Sequence, residues 1–187
     1  IGGVVFAIIA LLIIIPSILI FAKAKKVYTS ANGVQTAVKT QDIAQVQSSL
    51  GILGGDLKSL KGTYQLLVWT KFIPFLGGYY RDGSSVINAG IYGTEAGNIT
   101  IETIEPYADL IGFKAGVESA ANGEETAKDR IDFIVKTVGE IAPKLDEISG
   151  KVTLAQKEID SINPNRYPER WGKTKIRSKI KAGIAMV

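Results

Sequence analysis

The sequence predicts an all-α protein, with one N-terminal transmembrane helix followed by an elongated antiparallel helical bundle. Residues 1–22 carry no charged side chain. Several later stretches repeat apolar residues at three- and four-residue spacing, which is typical of amphipathic helices. We therefore divide the chain into a transmembrane helix (1–22), a juxtamembrane helical extension (23–40), a helical bundle domain (41–162) and a basic tail or linker to a further domain (163–187).

The composition excludes several kinds of chemistry. The chain has 187 residues, of which 46% are hydrophobic and 21% charged, and it contains neither cysteine nor histidine. Thiolate and imidazole metal ligands, disulfides, and Cys-His or Ser-His-Asp nucleophile systems are therefore excluded within the chain. We predict no enzymatic activity and no cofactor.

Charge is segregated along the chain. Residues 23–82 have eight basic and three acidic side chains, residues 83–162 have seven and 14, and residues 163–187 have seven and one. The middle of the chain is therefore acidic and both flanks are basic.

The N-terminal segment IGGVVFAIIALLIIIPSILIFA is long enough to cross the hydrocarbon core, which is about 30 Å thick. Pro16 removes one helical hydrogen bond, which spanning helices tolerate. A cleaved signal peptide is the alternative, but its apolar region is usually only about 7–15 residues long. Lys23, Lys25 and Lys26 follow directly, so the positive-inside rule alone places the rest of the chain in the cytoplasm.

Two helical patterns follow the anchor. Residues 23–39 are compatible with a continuation of the first helix. A second amphipathic pattern begins at Asp42, a plausible N-cap, and runs to Leu67 with a narrow, coiled-coil-like apolar seam. Several glycines weaken this helix, so it requires packing to persist.

The segment WTKFIPFLGGYYRDG, residues 69–83, interrupts the helical periodicity with Pro74 and a Gly-Gly pair. We predict a loop or a tight helical corner there. Its aromatic residues either cap the core or form an interfacial aromatic belt or a partner site. The candidate partner surface consists of Trp69, Phe72, Phe75, Tyr79 and Tyr80.

Residues 84–110 follow a less regular helical pattern, within which NITIETI is also compatible with a short strand; we favour helix. Residues 112–125 are predicted to form a loop. A long helix begins near Glu124, is bent or broken at Pro143, and ends at the sequence Asn163-Pro164-Asn165.

The tail is basic, and Ile176, Ile180 and Ile184 predict a short amphipathic helix near its end. It either lies on an anionic surface or leads into a further domain. It is a weak signal for nucleic acid, and we predict no nucleic-acid partner. The candidate basic contact residues are Arg166, Arg170, Lys173, Lys175 and Arg177.

The acidic stretch offers carboxylates at helical spacing, including Glu102, Glu105 and Asp109. A solvated acidic face is favoured over a cation site because histidine and an EF-hand loop are both missing from the sequence. Phosphate-binding glycine motifs are missing too, and we identify no small-molecule substrate.

The phrases KFIPFLGGYYRD, NAGIYGTEAG, IEPYADLIGFK and EIDSINPNRYPER, together with the spanning helix and the helical hairpin, cover most of the chain. Their order resembles the N-terminal part of membrane-anchored bacterial proteins that carry the domain of unknown function numbered 4012. The resemblance implies that the helical region lies outside the cytoplasm and precedes a larger C-terminal domain. It conflicts with the positive-inside signal, and we follow the resemblance.

We therefore expect a single-pass protein of the cell membrane whose extracytoplasmic helices act as a stalk or assembly module. Its expected partners are the lipid bilayer and either another protein or further copies of the chain. Three alternatives remain: a sensor-type helical domain, an accessory enzyme domain for envelope polymers, and a small structural subunit of a larger membrane complex.

Overall fold

The computed structural model describes the backbone of residues 2–107 and 127–185, and the side chains of residues 11–106, 137–139 and 141–185. Within these residues the chain contains five α-helices, three 3-10 helices and no β-strand. The prediction of an all-α fold is therefore confirmed for the described part of the chain.

Helix α1 runs without interruption over Gly2–Thr40, with Pro16 inside it. The helical pattern predicted after Lys23 is thus the second half of one long helix. Among the residues that the structure describes, no helix is both long and apolar enough to cross a membrane, so the spanning segment stays a prediction.

Helix α2, Ile43–Tyr64, returns antiparallel to α1 after a tight turn. The Asp42 carboxylate accepts a hydrogen bond from the Gln45 backbone N–H at 3.0 Å, which confirms the predicted N-cap. Farther along the pair, the Ser30 hydroxyl of α1 donates to the Asp56 carboxylate of α2.

A 3-10 helix, Gln65–Phe72, and a turn at Pro74 lead into helix α3, Leu76–Ile104, which is followed by a second 3-10 helix, Glu105–Tyr107. The corner is therefore shorter than predicted, because α3 already includes the Gly77-Gly78 pair. The strand alternative for NITIETI is wrong, since these residues form the last turns of α3.

Helix α4, Ala127–Asp160, contains Pro143 and continues through it, so the predicted break is wrong. It packs antiparallel on α3, where the Lys151 ammonium donates to the Glu95 carboxylate at 2.7 Å. The loop predicted at residues 112–125, and the side chains of the acidic residues from Asp109 to Asp132, lie outside the description.

Beyond α4, Asn163 caps a third 3-10 helix, Pro164–Arg166, and the predicted short basic helix is present as α5, Ile176–Ile184. The Asn163 side chain caps the 3-10 helix by accepting a hydrogen bond from the Asn165 backbone N–H at 3.0 Å. The tail thereby turns back towards the first turns of α3.

The core lies between the first three helices. One buried cluster consists of Leu57, Leu60, Ile87 and Ile91, and a second consists of Ala37, Val46 and Leu50. Helix α4 packs on the far side of α3. The described helices therefore form a sequential antiparallel array, in which α3 is covered by α2 on one side and by α4 on the other.

Candidate functional site

An ion pair joins the start of α3 to the tail. The Arg166 guanidinium donates to the Asp82 carboxylate and, at 3.1 Å, to the Gly78 carbonyl. Asp82 is only 3% exposed, and the Arg166 guanidinium is the counter-ion of its charge. We call Gly78, Tyr79, Asp82, Arg166 and Tyr167 the arginine clamp.

Two glycines make this close approach possible. A Cβ atom on Gly78 would overlap the Arg166 guanidinium, and one on Gly83 would overlap the Tyr64 hydroxyl. Both residues lie inside α3, where glycine is otherwise unfavourable. The remaining glycine of the phrase GGYYRDG, Gly77, is constrained too, because a Cβ atom there would overlap the Lys71 backbone carbonyl. All three glycines are therefore explained by the groups that pack against them.

Tyrosines surround the ion pair. The Tyr79 hydroxyl donates to the Arg166 carbonyl at 2.7 Å, and its ring meets the Tyr167 ring edge to face, with centroids 5.2 Å apart. Tyr64 stacks on Tyr80 at 5.1 Å and donates to the Tyr80 carbonyl at 3.2 Å. These contacts hold α2, α3 and the tail together.

The pKa values of two tyrosines and of one arginine are raised in and beside the clamp. Burial, assisted by the nearby Asp82 carboxylate, raises the pKa of Tyr167 to about 12. Burial, with smaller contributions from Tyr80 and Asp82, raises the pKa of Tyr64 to about 12. The hydrogen bond to Asp82 raises the pKa of Arg166. The arrangement thus favours neutral tyrosines and a charged arginine, which suits a structural junction.

A polar cavity of about 260 Å³ lies beside the clamp. On its wall, Asn88 donates to Glu158 at 3.0 Å, and the hydroxyls of Ser85 and Ser161 are 2.9 Å apart. Two buried oxygen atoms in this region, Asp82 Oδ2 and Asn88 Oδ1, accept no hydrogen bond from the described residues. The Asp82 carboxylate nevertheless lies close enough to Tyr167 to help raise the pKa of that tyrosine. Among the described residues, no three acidic side chains converge on a metal site.

The residues of the candidate partner surface divide into two groups. Tyr80 is half-buried, and Tyr79, although 40% exposed, binds the Arg166 carbonyl, so both serve the clamp. Trp69 is half-buried as well. Phe72 and Phe75 are 79% and 91% exposed, and only these two project fully from the corner.

The candidate basic contact residues divide in the same way. Arg166 belongs to the clamp, and Arg177 donates to the Tyr167 carbonyl at 2.9 and 3.0 Å. Arg170, Lys173 and Lys175 are exposed. Arg170 and Lys175 line a shallow depression of about 500 Å³ at the start of α5.

Helix α4 carries an exposed apolar surface that was not among the predicted site residues, although the sequence predicted the helix itself from its apolar positions. Apolar residues recur along it with the 3-4 spacing of a heptad repeat: Val138, Ile141, Leu145, Ile148, Val152, Ala155 and Ile159, with Ile162 just beyond its end. The alternate members Ala155 and Ile162 are buried. In contrast, Val138, Leu145 and Val152 are 60%, 56% and 47% exposed. We call these three residues the open seam; the regular heptad was the signal that could have revealed it.

No family model, curated protein or solved structure matches this chain.

Proposed function

We propose that this chain is a membrane-anchored helical stalk or assembly module of the cell envelope, and that copies of it pair along the open seam of α4. The observation that carries this proposal is the exposure of three apolar residues in heptad register on α4, which packs on α3. The other apolar row of α4 is covered: Ile141 and Ile148 are half-buried, and Ala155 and Ile162 are buried. Such a half-covered seam is the geometry of a helix that still lacks one neighbour.

Pairing at the seam has a hydrophobic driving force. Full burial of a Val or Leu side chain contributes roughly 1.5–3 kcal/mol, and each of the three residues is about half exposed. The side chains beside the seam at Ala142, Ser149 and Gln156 are uncharged, so a second helix can approach without burying a charge. Together these features favour a dry helical contact.

A second copy is the occupant that the charges favour. Asp146 and Asp160 lie on the exposed side of α4, whereas Arg170, Lys173 and Lys175 of the tail are exposed and basic. Contacts between copies can therefore pair opposite charges at the edges of an apolar strip. Copies anchored in one membrane are also concentrated and held in parallel, which lowers the entropic cost of pairing.

Membrane anchoring rests on residues 1–22, which carry no charge. The second half of this segment presents large apolar side chains at exposed positions on several sides of α1: Leu11, Leu12, Ile14, Ile15, Ile18, Leu19 and Phe21. Water is an unfavourable solvent for such a surface, and a bilayer is a favourable one. The resemblance to proteins carrying domain 4012 supports an extracytoplasmic position for the helices.

Disulfide trapping tests the pairing, because the chain contains no cysteine and each variant has a single thiol. In parallel copies, Leu145→Cys places two thiols side by side across the seam. Lys157→Cys, at an exposed position about 120° around α4 from Leu145, is the matched control. We expect oxidation in nanodiscs to give covalent dimers for Leu145→Cys and few for Lys157→Cys. Equal trapping of both variants, or a monomeric mass by light scattering, would contradict the proposal.

A further inference from the structure

The corner between α2 and α3 presents an apolar surface of its own. Leu66, Val68, Phe72, Phe75 and Leu76 are all at least 40% exposed, and we call them the corner patch. A phenylalanine offers roughly 150–250 Å² for burial, and contiguous exposed patches of this kind mark interaction sites. The corner patch is therefore a candidate interaction surface.

The backbone keeps one of these rings outward at a conformational cost. Phe75 has a φ of +70°, a left-handed conformation that bulky side chains rarely adopt. Such a residue costs on the order of 1–3 kcal/mol and persists where the surrounding structure requires it. Here the strain presents a phenyl ring that is 91% exposed. Burial of the ring within the chain would offset the cost of this backbone conformation. Because the ring is exposed instead, we infer that it makes a contact outside the chain.

The corner lies beside the apolar part of α1. Ile13 lines a cavity of about 170 Å³ together with Leu67, Thr70, Leu76 and Tyr79. Ile13 precedes Ala22, the last residue of the uncharged segment, by nine positions. At about 1.5 Å per residue, Ile13 lies about 14 Å from Ala22 along α1, so the cavity joins the corner to the uncharged segment. The exposed apolar residues of α1 and the corner patch therefore form one apolar surface at this end of the molecule.

Basic side chains surround this end. Lys25 and Lys26 follow the apolar segment on α1, Lys61 lies in the last turn of α2, and Arg81 lies in the second turn of α3; all four are exposed. Each of these charges is attracted to anionic lipid headgroups, and the attraction contributes about 1 kcal/mol per basic residue near a membrane surface. A basic rim above an apolar tip matches the profile of one bilayer leaflet.

Lys71 is the one charged residue inside the corner. Its ammonium lies 4.8 Å from the centroid of the Phe72 ring, a cation–π arrangement. Its flexible stem allows the charge to reach the headgroup level while the stem itself contacts apolar surface. Lys71 is therefore compatible with a shallow position in lipid.

We propose that the corner patch inserts into the same bilayer leaflet as the end of α1, so that the chain contacts the membrane at two points. This inference rests on the proposed membrane anchoring and deepens it. When both the end of α1 and the corner patch are inserted, the tilt of the stalk relative to the membrane is fixed. A single inserted helix leaves that tilt free. The occupant is the lipid bilayer, argued from the continuity with α1 and from the basic rim.

Depth-dependent fluorescence quenching tests the insertion. The full chain is reconstituted in vesicles of phosphatidylethanolamine and phosphatidylglycerol that contain acyl-chain spin-labelled lipid. A polarity-sensitive label is attached at Phe72→Cys, with Leu19→Cys as the anchor control and Ala44→Cys, at the opposite end of α2, as the water control. We expect quenching at positions 72 and 19 to be similar and severalfold greater than at position 44.

The two proposals fail differently in this assay. Strong quenching at position 19 with weak quenching at position 72 overturns the insertion, keeps the anchoring, and makes an apolar pocket of a protein the occupant of the corner patch. Weak quenching at both positions overturns the anchoring and the insertion together. Strong quenching at all three positions, including 44, shows that the whole array lies on lipid and overturns the proposed geometry.

A second readout leaves the phenylalanines intact. The chain has two tryptophans, so Trp171→Phe makes Trp69 of the corner the only indole. Insertion predicts quenching of Trp69 by spin label in the acyl chains. Unquenched Trp69 emission would overturn the insertion independently of any attached label.

Discussion

Replacing Arg166 by methionine tests the arginine clamp most severely. The substitution keeps much of the side-chain length and removes the positive charge from Asp82, which is 3% exposed. Its direct hydrogen bonds to Asp82 and to the Gly78 carbonyl are lost with it. Leaving a buried carboxylate without its partner typically costs about 3–5 kcal/mol, because the charge has lost both its counter-ion and water.

The loss is large compared with total stability. The free energy of unfolding of a domain is about 5–15 kcal/mol, so Arg166→Met removes about a fifth or more of the stability of a typical domain. We expect the double variant Arg166→Met with Asp82→Leu to be more stable than Arg166→Met alone, since no buried charge then remains. The interaction energy between the two sites should be about 1–3 kcal/mol.

Urea unfolding in detergent, followed by circular dichroism, measures these differences. Arg170→Met is the matched control, because Arg170 is an exposed arginine of the same tail, and it should change stability by less than about 0.5 kcal/mol. The reasoning is refuted if Arg166→Met changes stability as little as Arg170→Met, or if the effects of Arg166→Met and Asp82→Leu simply add.

Further predictions concern the glycines, the tyrosines and the first cap. Gly78→Ala should destabilise by displacing Arg166, whereas Gly93→Ala in the same helix, with open space at its Cβ position, should stabilise by about 0.5–1 kcal/mol in thermal unfolding. The pKa values of Tyr64 and Tyr167 are higher in the folded chain, so the free energy of unfolding should decrease as the pH rises from about 10 towards 12. Tyrosinate absorbance against pH would measure the two raised pKa values. Asp42→Ala should cost about 1 kcal/mol by urea unfolding.

Much of the fold could be predicted from periodicity and capping. The Asp42 cap and the isoleucines of α5 are local signals, and each needs only a few neighbouring residues to be read. Pro143 and the Gly77-Gly78 pair misled the prediction for a physical reason. Helix breakers are tolerated inside helices when packing compensates, and Gly78 in particular is required by the Arg166 guanidinium.

The clamp could not be predicted in the same way. Asp82 and Arg166 are 84 positions apart, and nothing in their local sequence indicates that they meet. The tyrosines illustrate the same limit. Tyr79 was a candidate partner residue because it is aromatic and lies near a loop, but its hydroxyl binds a carbonyl of the tail. The heptad on α4 was legible in the sequence, but only the structure shows which of its two rows α3 leaves uncovered.

In the proposed arrangement, α1 anchors the helical array outside the cytoplasm. Labelling intact cells with a membrane-impermeant maleimide tests this position directly. The full-length gene product would carry Lys173→Cys as its only thiol, at an exposed position of the tail. We expect labelling of Lys173→Cys in intact cells, at the level reached after lysis. Labelling only after lysis would place the array in the cytoplasm and overturn the proposed extracytoplasmic position.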